Sequence, residues 1–596
     1  MRRSSFAAAC VVALFPMLVA AVSTAPAGSS SRDLAAAPDN ETSRAGRHPD
    51  EVAVAAIVAA IWHGTSPPTS VPRVLAHDDA VVYVRLRRGG AGLAEAWSTR
   101  EETGLNAVRR ALLDARWRLD AGDAPDTAEL VIAHGFTAVP YERRNSEFSN
   151  IQRGIRGIEL RYGDDVERHG PTQVIASNRS FARIIDRFAA ARDLSEADLD
   201  RGLRLRRFAA ASFLVTLGDQ PAATRLFRGN RVIERADVTR AAVAEFAGRM
   251  ARWMARGVGR DGRMTYKYWP SRGRESSANN MIRQWMATLS LVRVAALHDD
   301  PAIAELAARN IRYNLRRFYR ETDGLGYIAY QDKAKLGAMA LAALALSEHP
   351  DRAVFADHEA ALRRTIMTLW AADGAFRTFL RPAERNDNQN FYPGEALLYL
   401  AGVYRETGDR QLRDRLMRSF RFYRSWHLAH RNPAFVPWHT MAYAVLWRET
   451  PDPALRDWIF EMNDWLLAMQ QRAPAAFPDI DGRFYDPKRR HLGPPHASST
   501  GVYLEGLIQA FRIARETGDT ARADAYRSAI LRGLRSLMQL EFRDDVDMFY
   551  VAQRDRVRGA LRTTVYNNEI RVDNVQHGLM AVLEILNAFD DADFLR

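Results

Sequence analysis

Residues 373–398 read DGAFRTFLRPAERNDNQNFYPGEALL: an Asp-Gly turn, an aromatic at Phe376, a polar run, and then an apolar helical pattern opening at Phe391-Tyr392-Pro393-Gly394-Glu395. The same order recurs through the C-terminal part of the chain. Asp261-Gly262 precedes Tyr266, Asp323-Gly324 precedes Tyr327, Asn432-Pro433 precedes Phe435, Asp481-Gly482 precedes Phe484, and Asp547 precedes Phe549. Between these connections fall short acidic turns: Asp299-Asp300-Pro301, Pro350-Asp351, Gly408-Asp409, Pro451-Asp452-Pro453, Gly518-Asp519 and Asp590-Asp591. The two kinds of turn strictly alternate, with long amphipathic helical patterns between them. Six units of two helices each is the count that closes a ring.

This alternation, over residues 236–596, resembles the (α/α)6 toroid of the six-hairpin glycosidase superfamily. The resemblance implies a barrel of six inner helices, six outer helices around it and a funnel at one end holding the active site. It also implies that Phe391–Leu398 opens an inner helix. Hydrolases, polysaccharide lyases, epimerases and isomerases share that barrel, so the fold does not choose the chemistry. The turns indicate which end matters. The acidic turns are short and alike, as simple connectors are. The long connections differ from one another and collect aromatics, amides, histidines and acids, as one rim of a repeat ring does where a site is built. Six helix N-termini would point at that mouth and favour negative charge there.

The chain has 596 residues, 47% hydrophobic and 26% charged, a globular balance that excludes disorder, collagen and a multispan membrane protein. Only four of the 84 basic residues are lysines, the bias of a GC-rich coding sequence, so the net charge of +12 says little about partners. All four lysines (Lys267, Lys333, Lys335 and Lys488) fall in the long connections. Arg2 and Arg3 followed by an apolar run to Val22 and by Ala25-Pro26-Ala27 read as a signal peptide over 1–27, with a flexible linker over 28–50. Beyond that segment no transmembrane domain is expected. The single cysteine, Cys10, lies inside it, so a mature chain has no thiol chemistry, thiolate metal site or disulfide.

Residues 51–235 mix extended runs (80–86, 128–134, 155–162, 172–176 and 209–217) with helical patterns at 101–121 and 180–191, which predicts an α+β domain. Gly163-Asp164-Asp165 signals a turn between two strands. The chain is thus expected to be mainly α, a toroid of six hairpins preceded by a smaller α+β domain.

Aromatics, amides and acids together make a carbohydrate groove, since flat rings stack on sugar faces and polar groups bind hydroxyls. Phe376, Phe435, Phe484 and Phe549 recur at equivalent positions and are expected to cap the core. Tyr268, Trp269, Tyr330 and Trp438 are the candidates for lining the funnel. Glycoside hydrolysis needs one protonated and one ionised carboxyl group, which Asp387 with Glu395, or Glu569 with Asp573, could supply. Glu569 and Asp573 are spaced to share a helical face, as are Asp573 and His577, with Arg571 on another. Each acid alone also suits an N-cap or first-turn position. Lyase or epimerase chemistry on a uronic acid needs a base and groups that stabilise the carboxylate, roles open to Tyr330, Lys333, His439, His496, His577, Arg283 and Asn390.

No phosphate-binding glycine loop, dinucleotide fingerprint or His-Glu-x-x-His motif occurs, and no cofactor is expected. Asp479, Asp481 and Asp486 could hold calcium, although a solvated loop is the simpler reading. An export signal argues against nucleic acid as a partner. The first expectation is an exported glycoside hydrolase acting on an acidic polysaccharide in the bacterial envelope or outside the cell. The alternatives are a polysaccharide lyase or uronate epimerase on the same barrel, or a non-catalytic glycan-binding component of polysaccharide assembly.

Overall fold

Two kinds of helix alternate through residues 240–588. Leu336–Glu348 (LGAMALAALALSE) is apolar on every side and buried from Leu336 to Leu346, the pattern of a helix enclosed by others. Arg410–Ala429 instead buries Leu412, Leu416, Ser419, Phe420, Tyr423 and His427, one stripe along an otherwise charged helix. In this computed structural model, which describes residues 49–68 and 71–595, the enclosed kind forms an inner ring.

The six inner helices are Met281–His298, Leu336–Glu348, Tyr392–Thr407, Phe435–Glu449, Ala497–Glu516 and Val572–Ala588. Each packs against the next, and the sixth packs back on the first, which closes the ring. The outer helices are Arg240–Arg256, Pro301–Phe318, Ala356–Thr368, Arg410–Ala429, Pro453–Leu467 and Thr520–Gln539. The acidic turns start these outer helices. Asp300, Asp409, Asp452 and Asp519 accept hydrogen bonds from first-turn backbone N–H groups, and Pro301 and Pro453 take the first helical position. The Asp-Gly turns of the long connections place Gly262, Gly324, Gly374 and Gly482 at positive φ, where glycine alone is unstrained. Tyr266, Tyr327, Phe376, Phe484 and Phe549 follow them into the core.

Four of the six long connections are stitched together in two pairs. Lys267–Trp269 and Arg274–Glu275 of the first join Arg562–Thr564 and Asn567–Arg571 of the sixth in a four-stranded sheet. Tyr319–Thr322, Leu325–Tyr330 and Lys333–Lys335 of the second join Phe379–Arg381 of the third.

The N-terminal part is an antiparallel sheet with helices. In spatial order its strands are Ala91–Trp97, Val81–Arg88, Thr127–Val139, Arg204–Thr216, Gly157–Tyr162 and Asp165–His169, with Ala223–Leu226 beside Arg204–Thr216. Gly163-Asp164 makes the turn between the last two strands in that row, where Tyr162 faces Asp165. Helices Pro49–His63 and Gly104–Trp117 cover one core, and Phe181–Ala190 covers another. The run 172–176, expected as a strand, is the helix Pro171–Ser177. Pro171 at its first position, with the Gly170 N–H donating to Gln173 Oε1 at 2.8 Å, outweighs the β-branched residues.

The N-terminal part rests on the rim at the fifth and sixth connections. Asn178 donates to Asn567 Oδ1 at 3.0 Å, Asn568 donates to the Ile175 carbonyl at 2.6 Å, and Arg535 donates to the Ile233 carbonyl at 2.6 Å. The expected signal peptide and all but the last two residues of the expected linker lie outside the described residues; Pro49 and Asp50 open a helix. Among the described residues, no helix is long and apolar enough to cross a membrane.

Candidate functional site

The end of the ring at which the six inner helices begin is the expected funnel mouth, and Arg571, Asp573 and Arg283 meet there. Arg571 ends the strand Asn567–Arg571 and caps the sixth inner helix. Its guanidinium grips Asp573, from Nε to Oδ1 at 3.1 Å and from Nη2 to Oδ2 at 2.7 Å. Arg283 of the first inner helix reaches the same carboxylate, Nε to Oδ2 at 3.0 Å, and donates to the Tyr266 hydroxyl at 2.6 Å. Burial pushes the Asp573 carboxyl up, but Arg571 and Arg283 outweigh it and hold the group below the usual carboxylate range. The expected helical face shared by Glu569 and Asp573 is not formed, because the helix starts at Val572 and Glu569 sits on the preceding strand. For the same reason Arg571 is free to fold back onto Asp573 rather than occupy another helical face.

One turn into the sixth helix, His577 Nδ1 is 2.6 Å from Glu505 Oε1 of the fifth. Trp438 of the fourth inner helix stands edge-on to the imidazole with centroids 6.1 Å apart. Glu505 is 2% exposed, and burial pushes its carboxyl up against the pull of His577 and Arg293. His496, the residue before the fifth inner helix, is lowered to about 4 by burial and by the Arg571 charge, so it is neutral at physiological pH. Two imidazoles on neighbouring helices thus flank two guanidinium groups that share one carboxylate. A base oriented by a buried acid, next to fixed positive charge, is the equipment for moving a proton on or off a carbon beside a carboxylate.

The other sequence candidates divide between the rim and the core. Glu569 bonds Lys267 Nζ at 3.0 Å and accepts from Trp269 Nε1 at 3.0 Å, so Trp269 and Glu569 stand together on the rim sheet. Tyr268 is buried beside them and donates to Gln553. Asp387 is exposed and ion-paired with Arg385 at 2.6 Å. Lys333 is exposed, while Asn390 and Tyr330 are half-buried, Tyr330 lying edge-on to Phe318. Glu395 is buried against Gly337 of the second inner helix, with no partner for Oε2. Burial raises its carboxyl to about 8, against a small opposing effect of Lys335. His439 is fully enclosed, stacked on Phe435 at 3.5 Å with Nδ1 on the Phe435 carbonyl, and burial lowers it to about 3. It belongs to the core rather than the funnel wall.

Asp479 and Asp481 are not in a solvated loop: both are buried, and Asp479 pairs with Arg228 at 2.6 Å. Asp486 pairs separately with Arg489. Sequence reading did not single out Glu505 as the partner of His577. The one available signal was an acid inside a helix otherwise apolar around it, in Tyr503-Leu504-Glu505-Gly506-Leu507-Ile508.

No family model matches the chain, and no curated protein does. Solved structures do match. A D-mannose isomerase matches at 11% identity, over 58% of this chain and 98% of its own, with a TM-score of 0.45. An α-1,6-mannanase of a Salegentibacter species, in complex with α-1,6-mannotriose, matches at 9% identity over 58% and 100%, with a TM-score of 0.42. An unsaturated glucuronyl hydrolase from Streptococcus agalactiae matches at 12% identity over 60% and 97%, with a TM-score of 0.40. The closed ring of helix contacts shows that the C-terminal part of the chain is a six-hairpin (α/α)6 toroid.

Proposed function

We propose that the funnel binds an acidic saccharide and transfers a proton at the carbon next to its carboxylate, the step shared by β-elimination and uronate epimerisation. The observation that carries this reading is the His577–Glu505 pair at 2.6 Å beneath Trp438. With Nδ1–H donated to Glu505, the Nε2 lone pair is left to take the proton, since Nε2 has no hydrogen-bond partner among the described residues. Arg571 and Arg283, aligned by Asp573, would hold the substrate carboxylate and the charge that develops on it. The imidazolium formed at His577 would then give up its proton, to the carbon again or to a leaving oxygen, while His496, neutral and just before the adjoining helix, would hydrogen-bond the substrate. The leader sequence supports a place of action in the bacterial envelope or outside the cell.

Hydrolysis by a carboxylate pair is the second reading. It is favoured by Glu395 keeping its proton up to about 8 while Asp573 stays ionised. The packing of Glu395 against Gly337 and the capture of Asp573 by two arginines weigh against it. The deciding experiment is mass spectrometry of products from polyuronates incubated with the protein in deuterium-enriched water. Carbon-bound deuterium or unsaturated ends are the expected result. Fragments that gain only the elements of water would give the funnel to hydrolysis, and retained glycan with no product would make it a binding site.

A further inference from the structure

Three arginines are buried where the N-terminal part meets the fifth and sixth connections, and among the described residues only one of them, Arg228, has an ion pair. Arg153, Arg228 and Arg483 are 6%, 1% and 7% exposed. Asp479 is committed to Arg228, which also donates to the carbonyls of Ile151 and Arg153. Arg153 donates to Asn178 and has no ion-pair partner among the described residues; burial lowers it to about 10. Arg483 donates from Nε to Gln471 and lies over the Tyr485 ring at 5.3 Å, but no carboxylate among the described residues pairs with it. A buried cation without a counter-charge is costly, and it persists where something else supplies the negative charge.

Arg483 faces space. It lines a cleft of about 800 Å³ between the two parts of the chain, with Tyr141, Phe148 and Asn150 on one wall and Tyr485 and Tyr566 on the other. The acids that reach the cleft, Glu196 and Asp186, are exposed, and Glu196 is already bonded to Arg144 and Tyr141. From Tyr566 the chain runs along the strand Asn567–Arg571 to the funnel, about 17 Å at 3.3 Å per residue. The cleft and the funnel are therefore two stations along one strand.

We propose that this cleft is a second binding site, for the anionic group of an acidic saccharide, with Arg483 as the anion ligand and Tyr485 and Tyr566 as the faces on which the sugar ring packs. Guanidinium suits a carboxylate or a sulfate ester, since both accept two parallel N–H bonds. Aromatic faces beside it suit the pyranose that carries the anion. The site goes beyond the funnel chemistry and does not depend on it.

Calorimetric titration of the whole chain tests it with trigalacturonate, N-acetylglucosamine 6-sulfate and neutral maltotriose, in a His577→Asn background that prevents turnover. An acidic probe is expected to bind, with carboxylate and sulfate distinguished by which of the two does. Arg483→Gln should weaken that binding at least tenfold, Arg483→Lys less, and Tyr485→Ala about threefold to fivefold. Tyr485→Ala keeps the arginine and provides the test if Arg483→Gln does not fold. An Arg483-dependent component that survives Arg571→Gln supports the cleft even where no Arg571-dependent component exists, an outcome that counts against the funnel reading alone. Affinity unchanged in both Arg483→Gln and Tyr485→Ala, maltotriose binding as tightly as the acidic probes, or no binding of either acidic probe would overturn the proposal.

Discussion

Glu395 lays its carboxyl group against the backbone of Gly337 on the neighbouring inner helix, so closely that a methyl group on Gly337 would overlap Glu395 Oε2 and crowd the Tyr392 ring. The second and third inner helices approach as they do because Gly337 has no side chain. Gly337→Ala should therefore destabilise the protein by about 1–3 kcal/mol, the usual cost of overpacking, despite the better helix propensity of alanine. Urea denaturation would measure it, and a variant as stable as the parent would mean that the contact relaxes freely.

The same burial makes Glu395 a pH-dependent liability. Its carboxyl keeps its proton up to about 8 in the folded chain, against an ordinary 4.5. Below pH 4.5 it is protonated in both states and contributes nothing. As pH rises from there towards 8, the unfolded chain ionises and the folded one does not, so stability falls. Glu395→Gln removes the titrating group and should make the protein more stable than its parent above pH 7, by about 4 kcal/mol near pH 8. His496, His427 and His439 act in the opposite direction, since burial lowers them to about 4, 4 and 3. Their contribution is complete above 6.5 and is lost as pH falls towards 4. Thermal midpoints between pH 4 and 9 would check both limbs, and parallel profiles for parent and Glu395→Gln would refute the first.

The ring was legible because its punctuation is local. Asp300, Asp409, Asp452 and Asp519 are N-caps, and caps are written in a few adjacent residues. The Asp-Gly turns were legible for the same reason. The pairings that make the site were not, because they join residues brought together by closure of the ring. Arg283 meets Asp573 only where the first inner helix adjoins the sixth, and Glu505 meets His577 across 72 positions of sequence. The helix start at Val572 was also hidden, since the rim sheet draws Glu569 and Arg571 into a strand that pairs with Lys267 and Tyr268. The run 172–176 shows the converse, a β-branched stretch overruled by a proline and by the bond from the Gly170 N–H to the Gln173 side chain.

If His577 is the base and Glu505 its orienting partner, the two should fail differently. His577→Asn removes the proton acceptor and should lower kcat about 10²–10⁴-fold with little change in KM. Glu505→Gln keeps a hydrogen-bonding oxygen for the imidazole but weakens its hold on the ring, so it should lower kcat by a smaller factor with KM little changed. An unchanged kcat in Glu505→Gln would assign that residue a packing role only. Arg571→Gln, by contrast, should raise KM for uronates while leaving the binding of neutral saccharides unaffected.

Arg228 and Asp479 fasten the N-terminal part to the rim, and their pairing predicts a specific non-additivity. The guanidinium is satisfied on three sides, by Asp479 at 2.6 Å and by the carbonyls of Ile151 and Arg153 at 2.7 and 2.6 Å. Asp479→Leu strands a buried cation and should cost about 3–5 kcal/mol. Arg228→Met strands a buried carboxylate and two carbonyls and should cost at least as much. The double variant removes both charges and should be more stable than either single one. It should still fall short of the parent, because Ile151 and Arg153 lose their donor. Urea unfolding of the four proteins closes the cycle, and strictly additive costs would show that the two charges do not depend on each other. The same variants bear on the cleft beside Arg483. With Asp479 gone and Arg228 left unpaired, the local positive charge rises, so an anionic saccharide should bind there more tightly in Asp479→Leu than in the parent, provided the variant remains folded at the temperature of the titration.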